Sequence, residues 1–226
     1  MKIDILTLFP EMFEALKTSL LGRAQNNGIL SINIINFRDF SKNKHKKVDD
    51  YAFSGGAGMV LTPQPIYDAL QSVVTKNSYV VYMSPKGTPL TQKKVISMAK
   101  SIEHLVIICG HYEGIDERII ELCVNEQISI GDFVLTGGEI PAMALVDAVS
   151  RYVDGVLHNS ESVEDESFSD GLLEYPQYTR PQEFMGLKVP DVLINGNHKL
   201  IEQWKQDQKL IETKKYRPDL LKDKDI

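Results

Sequence analysis

The stretch Leu105–Pro141 constrains the fold more than any other part of the chain. It opens with the apolar run Leu105–Cys109, whose β-branched residues are typical of a strand buried on both faces of a parallel sheet. The run ends at Gly110. A short amphipathic helix is predicted next, because apolar residues recur at helical spacing across Ile115–Val124. A second brief strand is predicted at Ser129–Leu135.

Glycines follow both predicted strands, at Gly110 and at Gly137-Gly138. Glycine has no Cβ, so the backbone at these positions can approach a ligand closely. An open parallel sheet binds its ligand at the carboxyl ends of its strands, so the sequence predicts a pocket built from main-chain groups. A glycine turn can equally be a tight connection, and neither a Walker A motif nor G-x-G-x-x-G follows any strand.

The composition indicates a globular chain of one large or two small domains, because 226 residues with 42% hydrophobic content can bury a core. No apolar run approaches the length of a membrane span, and the N-terminus lacks the layout of a signal peptide. We therefore expect a cytoplasmic protein with no membrane partner. Cys109 and Cys123 lie in apolar segments without metal-ligand or redox spacing, and both are interpreted as reduced core residues.

Strand and helix patterns alternate through the first 157 residues, which predicts an α/β fold with a parallel sheet. Further strands are predicted at Lys2–Leu8, Leu30–Asn36 and Tyr79–Met83, the last ending in a turn at Ser84–Gly87. Helices are predicted from Pro10 to Gly28 and at Pro63–Val74, Pro89–Ile102 and Ala142–Val153. The segment between Arg38 and Leu61 has no apolar period and is too long for an idle connection, which favours a functional loop.

The net charge of −6 argues mildly against a nucleic-acid partner, but the basic residues are clustered. One cluster lies in the long loop and the other in the C-terminal segment. They comprise Lys42, Lys44, His45, Lys46 and Lys47, and Lys199, Lys205, Lys209, Lys214, Lys215 and Arg217. A solvated face is the plainer interpretation of either cluster alone.

Two long motifs carry a resemblance to a known family: GHYEGIDER at 110–118 and SIGDFVLTGGEIPA at 129–142. Together they resemble the cofactor-binding knot of the bacterial tRNA (guanine-N1) methyltransferases, a family of the SPOUT superfamily. The similarity runs from LFPEMF at 8–13 to RPDLL at 217–221, almost the whole chain. It implies a SPOUT-type parallel sheet with a deep trefoil knot, which periodicity cannot reveal, and a small α-helical C-terminal domain.

The resemblance also implies a cofactor, S-adenosylmethionine, bound where three strand-end turns meet. The residues expected to hold it are Ser84, Pro85, Gly110, Ile130, Gly131, Asp132, Phe133, Val134, Leu135, Gly137, Gly138 and Pro141. The glycine-rich loop before Met59 matches the target-base side of the family's site. The implied substrate is the guanine at tRNA position 37, reached through the anticodon stem-loop. The implied assembly is a homodimer whose active sites lie between the subunits.

Guanine N1 carries a proton at neutral pH, so methylating it calls for a carboxylate to remove the proton and a cation to steady the base. On residue types alone, Arg151 reads as a charge at a helix C-terminus and Asp165 and Glu166 as part of a solvated linker. By resemblance, Arg151 matches the family's arginine and the Asp165-Glu166 pair its carboxylate. The ungapped register to Ser167 places the family's aspartate on Glu166, which we favour over Asp165 as the base.

Three regions are predicted: a knotted cofactor-binding domain at 1–157, a flexible acidic linker at 158–174 and a helical tRNA-binding domain at 175–226. The histidines show no metal-ligand spacing, and magnesium is a possible requirement by resemblance only. Two other functions stay open. One is a nucleotide hydrolase using Asp49, Asp50 and Mg²⁺, and the other is a non-catalytic RNA-binding protein.

Overall fold

The computed structural model of the protein describes residues 1–157 and 166–221. The chain divides into two compact units, Met1–His158 and Asn159–Ile226. Within the described residues, no helix combines the length and the apolar composition that crossing a membrane requires.

The first unit is built on a five-stranded parallel sheet in the order β2-β1-β6-β5-β7. Its strands, with a separate antiparallel hairpin of β3 and β4, are β1 (Lys2–Thr7), β2 (Ser31–Asn36), β3 (Asp49–Tyr51), β4 (Met59–Leu61), β5 (Ser78–Pro89), β6 (His104–Cys109) and β7 (Glu126–Ser129). Its helices are α1 (Ser19–Asn26), α2 (Pro63–Val73), α3 (Gln92–Ser101), α4 (Glu117–Cys123) and α5 (Glu139–Ser150), with 3-10 helices at Pro10–Lys17 and Phe37–Phe40. This confirms the predicted α/β fold and parallel sheet.

The sheet is covered by helices on both faces, and β6 lies at its centre with every residue buried. Because side chains alternate along a strand, Leu105 and Ile107 join the core under α1, α3 and α5. Val106 and Ile108 join the core under α2 and α4. Four apolar residues of α5, Ala142, Leu145, Val146 and Val149, are buried in the first of these cores. These four residues are thus explained by packing within the chain.

Two strand predictions were wrong. β5 continues to Pro89, and Ser84–Gly87 is an irregularity within it, since its register against β7 shifts between Met83 and Thr88. β7 ends at Ser129, where the second strand was predicted to begin, and 130–135 is a loop. The long loop also holds the short β3–β4 hairpin, which its sequence did not reveal.

A buried polar cluster joins the amino ends of four strands. The Asp4 carboxylate, fully buried, accepts from Asn33 Nδ2 at 3.1 Å and lies 2.9 Å from Lys2 Nζ and 2.7 Å from His104 Nε2. His104 Nδ1 lies 2.7 Å from Ser78 Oγ. Burial alone would raise the pKa of Asp4, but the hydrogen bonds from its three neighbours outweigh it and lower the pKa below the ordinary carboxyl value.

We expect Asp4→Asn to lower the free energy of unfolding at pH 7 by about 2 kcal/mol, the scale of hydrogen bonds to a charged group. A depressed pKa stabilises the fold above the unfolded-state pKa, and the benefit is lost as pH falls through the folded-state value. The gap between wild type and variant should therefore narrow below about pH 4. Urea unfolding at pH 7, 5 and 3.5 measures it, and a gap independent of pH would contradict the assignment.

The second unit contains α6 (His198–Tyr216), a hairpin of β8 (Glu183–Phe184) and β9 (Leu187–Lys188), and 3-10 helices at Asp191–Leu193 and Pro218–Leu221. Residues 166–174 form turns that pack in this unit through Leu172. Most of the predicted linker's acidic part, 158–165, lies outside the described residues. The domain boundaries set from the sequence therefore remain a prediction.

Candidate active site

A cavity of about 270 Å³ opens at the carboxyl ends of β5, β6 and β7. The strands bring their following segments together because parallel strands end at one edge of a sheet. All but Asp132 of the twelve residues predicted to hold a cofactor line this cavity. Ser84 and Pro85 reach it from the irregularity in β5, Pro141 from the first turn of α5, and the others from the turn after β6 and the loop after β7.

The two glycine turns are bonded to each other. Gly138 N donates to Gly110 O at 2.8 Å, and His111 and Gly137 form an antiparallel bridge. A Cβ on Gly138 would stand 2.8 Å from Cys109 Cα and 2.9 Å from Gly110 N. Gly138 thus lets the loop lie directly against the end of β6, which forms one wall of the cavity.

The glycine-rich hairpin is joined to the same wall. Leu61 N donates to Gly114 O at 2.9 Å, Asp116 N to Leu61 O at 3.0 Å, and Glu113 N to Met59 O at 3.0 Å. A Cβ on Gly58 would meet the Glu113 side chain at 2.5 Å. β4 is therefore hydrogen-bonded to the cavity-lining segment 110–115, and the predicted functional loop borders the site.

Several polar cavity residues were not singled out from the sequence. They are Tyr82, His111, Tyr112, Glu113 and Glu117. Burial raises the pKa of Tyr82, which keeps its hydroxyl neutral and able to donate. Among the described atoms His111 Nδ1 is buried without a hydrogen-bond partner, and Tyr112 has a φ of +58°. Four of the five lie within GHYEGIDER. The motif therefore indicated where the cavity is, but not which of its polar side chains face it.

The predicted catalytic residues are divided between the two units. Arg151, half-buried, follows the last residue of α5 in the first unit. Glu166, also half-buried, begins the turns of the second unit. Asp165 lies outside the described residues. The roles of Arg151, Glu166 and Asp165 therefore remain predictions.

The cavity fits an adenosine-type cofactor better than a metal. Its walls combine the glycine turns with apolar and aromatic side chains, which suit close approach to a flat organic ligand. Magnesium is held by clustered oxygen ligands. Within residues 1–157 and 166–221, no group of three or more His, Cys, Asp or Glu side chains is placed to hold an ion. We therefore assign no step to magnesium.

The sheet and its cavity define an α/β protein with a candidate small-molecule site at the carboxyl edge of parallel strands. The family described as tRNA (Guanine-1)-methyltransferase TrmD, a SPOUT family, matches residues 1–223, and the chain belongs to it. Proteins called tRNA (guanine-N(1)-)-methyltransferase from Staphylococcus aureus strains JH9, Newman and N315 are each 55% identical to it over 223 residues. The aligned part covers 98% of this chain and 91% of each relative. The resemblance seen in the two motifs is confirmed.

Proposed function

We propose that the protein transfers a methyl group from S-adenosylmethionine to N1 of the guanine at tRNA position 37, beside the anticodon. The observation that carries the proposal is the glycine-walled cavity formed by the two family motifs at the ends of β5, β6 and β7. Enzymatic N1 methylation of tRNA guanine follows from membership of the family. The position, the donor and the residue roles are the proposed part.

The cofactor is held mainly by the backbone. The residues that line the cavity include Gly110, Ile130, Gly131, Phe133, Val134 and Leu135, together with Ser84, Pro85 and Pro141. When bound, S-adenosylmethionine supplies a methyl group already activated by its sulfonium, so the protein needs mainly to orient the donor and expose the nucleophile. The deep trefoil knot implied by the family would fix these loops against one another.

In our proposal the Glu166 carboxylate accepts the N1 proton of guanine, and the Arg151 guanidinium stabilises the negative charge that grows on the base. A guanine inside an RNA loop must be turned out of its stack to reach such groups. Asp165 is the alternative base. The family's subunit arrangement would supply Arg151 and Gly110 to one site from different chains.

Some residues of the two basic clusters are already paired or buried within the chain and are poor candidates for contacts with RNA phosphates. Lys42 pairs with Asp68 at 2.8 Å, Lys46 Nζ donates to carbonyls of its own loop, and Lys209 is buried. Exposed candidates remain in both clusters: Lys44, His45, Lys199 and Lys214. We propose that these residues contact the tRNA phosphates. Such contacts position the RNA without reading its sequence. With tRNA as substrate, the reaction would take place in the cytoplasm.

We propose a homodimer, and an exposed apolar hollow beside the cavity supports it. Met12 and Ile140, 40% and 49% exposed, line this hollow with Phe9. Grouped apolar side chains of this kind mark interaction surfaces. A second copy of the chain is the occupant that the family's dimer implies.

Sedimentation at micromolar concentration should therefore give a dimer, and mixed dimers should complement. An Arg151→Ala chain combined with a Gly110→Val chain is expected to regain methylation, because one of the two shared sites receives both intact residues. The parent homodimers, each defective at both sites, are the control. A monomer in sedimentation would overturn the shared site.

The proposal is tested by incubating the protein with unmodified tRNA and methyl-labelled S-adenosylmethionine. We expect label at N1 of guanine 37 and none in a tRNA with adenine at position 37. Calorimetry with S-adenosylmethionine and ATP separates the nucleotide hydrolase, which requires tight ATP binding. Binding of tRNA without methyl transfer would instead identify a non-catalytic RNA-binding protein.

A further inference from the structure

Lys209 is an unusual residue for its position on α6. Its side chain is 4% exposed, although lysine is almost never fully buried unless it is paired. Its Nζ lies 3.2 Å from Asp170 Oδ2. Removing the Lys209 charge from water costs free energy, and its partner Asp170 is 43% exposed, so the burial of Lys209 needs a reason beyond solubility.

The Lys209–Asp170 pair fixes the segment 166–174 to α6. Asp170 Oδ1 also accepts from Leu172 N at 3.0 Å, so one carboxylate joins the helix to the turn of the segment. Although burial raises the pKa of Asp170, the hydrogen bonds from Lys209 and Leu172 outweigh it and lower the pKa. The Asp170 carboxyl is therefore ionised at neutral pH.

Thr213, one helical turn after Lys209, provides a second attachment. Its hydroxyl is fully buried, donates to Lys209 O at 2.6 Å and accepts from Leu173 N at 2.9 Å. α6 thus holds the segment at two consecutive turns. Both attachments lie within the second unit.

The attached segment in turn fixes the backbone of Glu166. Ser169 N and Ser169 Oγ donate to Glu166 O at 3.2 and 2.7 Å. Phe168, with a φ of +73°, donates from its N to Leu172 O at 2.7 Å. An uninterrupted set of short contacts therefore runs from Lys209 to the residue that carries the proposed base.

We propose that Lys209 and Thr213 are positioning residues that orient Glu166 for removal of the guanine N1 proton. This inference rests on the proposed function, in which Glu166 is the base. Misplacing a reacting group by about 1 Å can cost on the order of 10²-fold in rate. Losing the attachment should therefore slow the proton-removal step while leaving cofactor and tRNA binding intact.

The test is single-turnover methylation with saturating S-adenosylmethionine, comparing Lys209→Met with wild type. We expect the rate to fall at least tenfold, with the dissociation constants for tRNA and S-adenosylmethionine changed less than threefold. Lys209→Arg, which keeps the charge, should recover part of the rate. Lys2→Met is the matched control, because it removes a lysine paired with a buried carboxylate at the amino edge of the sheet.

Folding is checked on the same samples. Trp204 is the chain's single tryptophan and lies on α6, so its fluorescence reports the second unit directly. If Lys209→Met proves unfolded, Thr213→Val is used instead, with Thr213→Ser as its hydroxyl-keeping control. A rate loss in Thr213→Val that Thr213→Ser does not share supports the attachment, and equal rates in both overturn it.

A double variant separates positioning from simple stabilisation. If Lys209 acts through Glu166, adding Lys209→Met to Glu166→Ala should slow the reaction no further than twofold. Independent losses that multiply would overturn the inference, as would wild-type rates in Lys209→Met. Glu166→Ala alone reports on the proposed function, because a wild-type rate there would remove Glu166 as the base whatever Lys209 does.

Discussion

Glu166→Ala is expected to slow single-turnover methyl transfer by roughly 10²-fold or more, the scale of losing a general base. The reason is the N1 proton of guanine, which must leave before or during attack on the methyl group. The carboxylate of Glu166 is the proposed acceptor. Glutamate has one methylene more than the aspartate of the family pattern, so its reach depends on how firmly its backbone is held.

The contacts around Glu166 favour it over Asp165. Ser167 Oγ accepts from Glu174 N at 3.0 Å, and Phe168 N donates to Leu172 O at 2.7 Å. A one-residue slip that moved Asp165 into the same place would break both hydrogen bonds. Asp165→Ala should consequently stay within several-fold of the wild-type rate. The reverse pattern would assign the base to Asp165.

A pH series strengthens this comparison. Raising the pH lets solvent remove more of the N1 proton, so the deficit of Glu166→Ala should shrink as pH increases. A variant that merely bound tRNA poorly would show a deficit independent of pH. Near-wild-type rates in both Glu166→Ala and Asp165→Ala would mean that another group accepts the proton.

The parts of the fold that the sequence predicted well are those where one physical signal dominates. The unbroken apolar run of β6 is buried on both faces, as five β-branched or apolar residues in succession before a glycine turn indicated. The alternation of strand and helix patterns likewise leaves a parallel sheet as the simplest arrangement. The position of the cavity could be predicted from the buried strand, the parallel sheet and the glycine turns at the strand ends.

The strand placed at 129–135 shows where the same signal misleads. Phe133 and Val134 are apolar, which indicated burial, yet they are 54% and 81% exposed in a loop beside the cavity. In the sequence, an apolar residue that faces a ligand or a second subunit cannot be distinguished from one that faces the core. The structure distinguishes the two cases, because the pairing of β7 with β5 ends at Ser129 and residues 130–135 lie outside the sheet.

Polar pairs between residues far apart in the chain also could not be predicted from the sequence. The sequence placed Lys209 in a basic cluster with a solvated face as the plainer interpretation, but its partner Asp170 lies 39 residues earlier in the chain. No periodicity links two such residues. The same holds for Asp4 and His104, separated by 100 residues and joined only because β1 and β6 are neighbours in the sheet.

Gly110→Val should weaken S-adenosylmethionine binding by well over tenfold, because the cavity wall has no room for a side chain there. A Cβ on Gly110 would stand 2.7 Å from the Tyr82 hydroxyl and 3.0 Å from the edge of its ring. Tyr82 lines the cavity, so the displaced ring would occupy space meant for the ligand. Calorimetry on the folded variant gives the dissociation constant, and thermal unfolding confirms that the variant is folded.

Gly138→Val should have an effect of similar size through a different contact. Its Cβ would meet the backbone of Cys109 and Gly110, which cannot rotate away, whereas the Gly110 clash involves a side chain that can be shortened. Adding Tyr82→Phe should therefore recover part of the affinity lost in Gly110→Ala but none of that lost in Gly138→Ala. Unchanged affinity in both valine variants would remove the cofactor from this edge of the sheet. Equal recovery by Tyr82→Phe in both backgrounds would show that the two glycines do not form separate walls of the cavity.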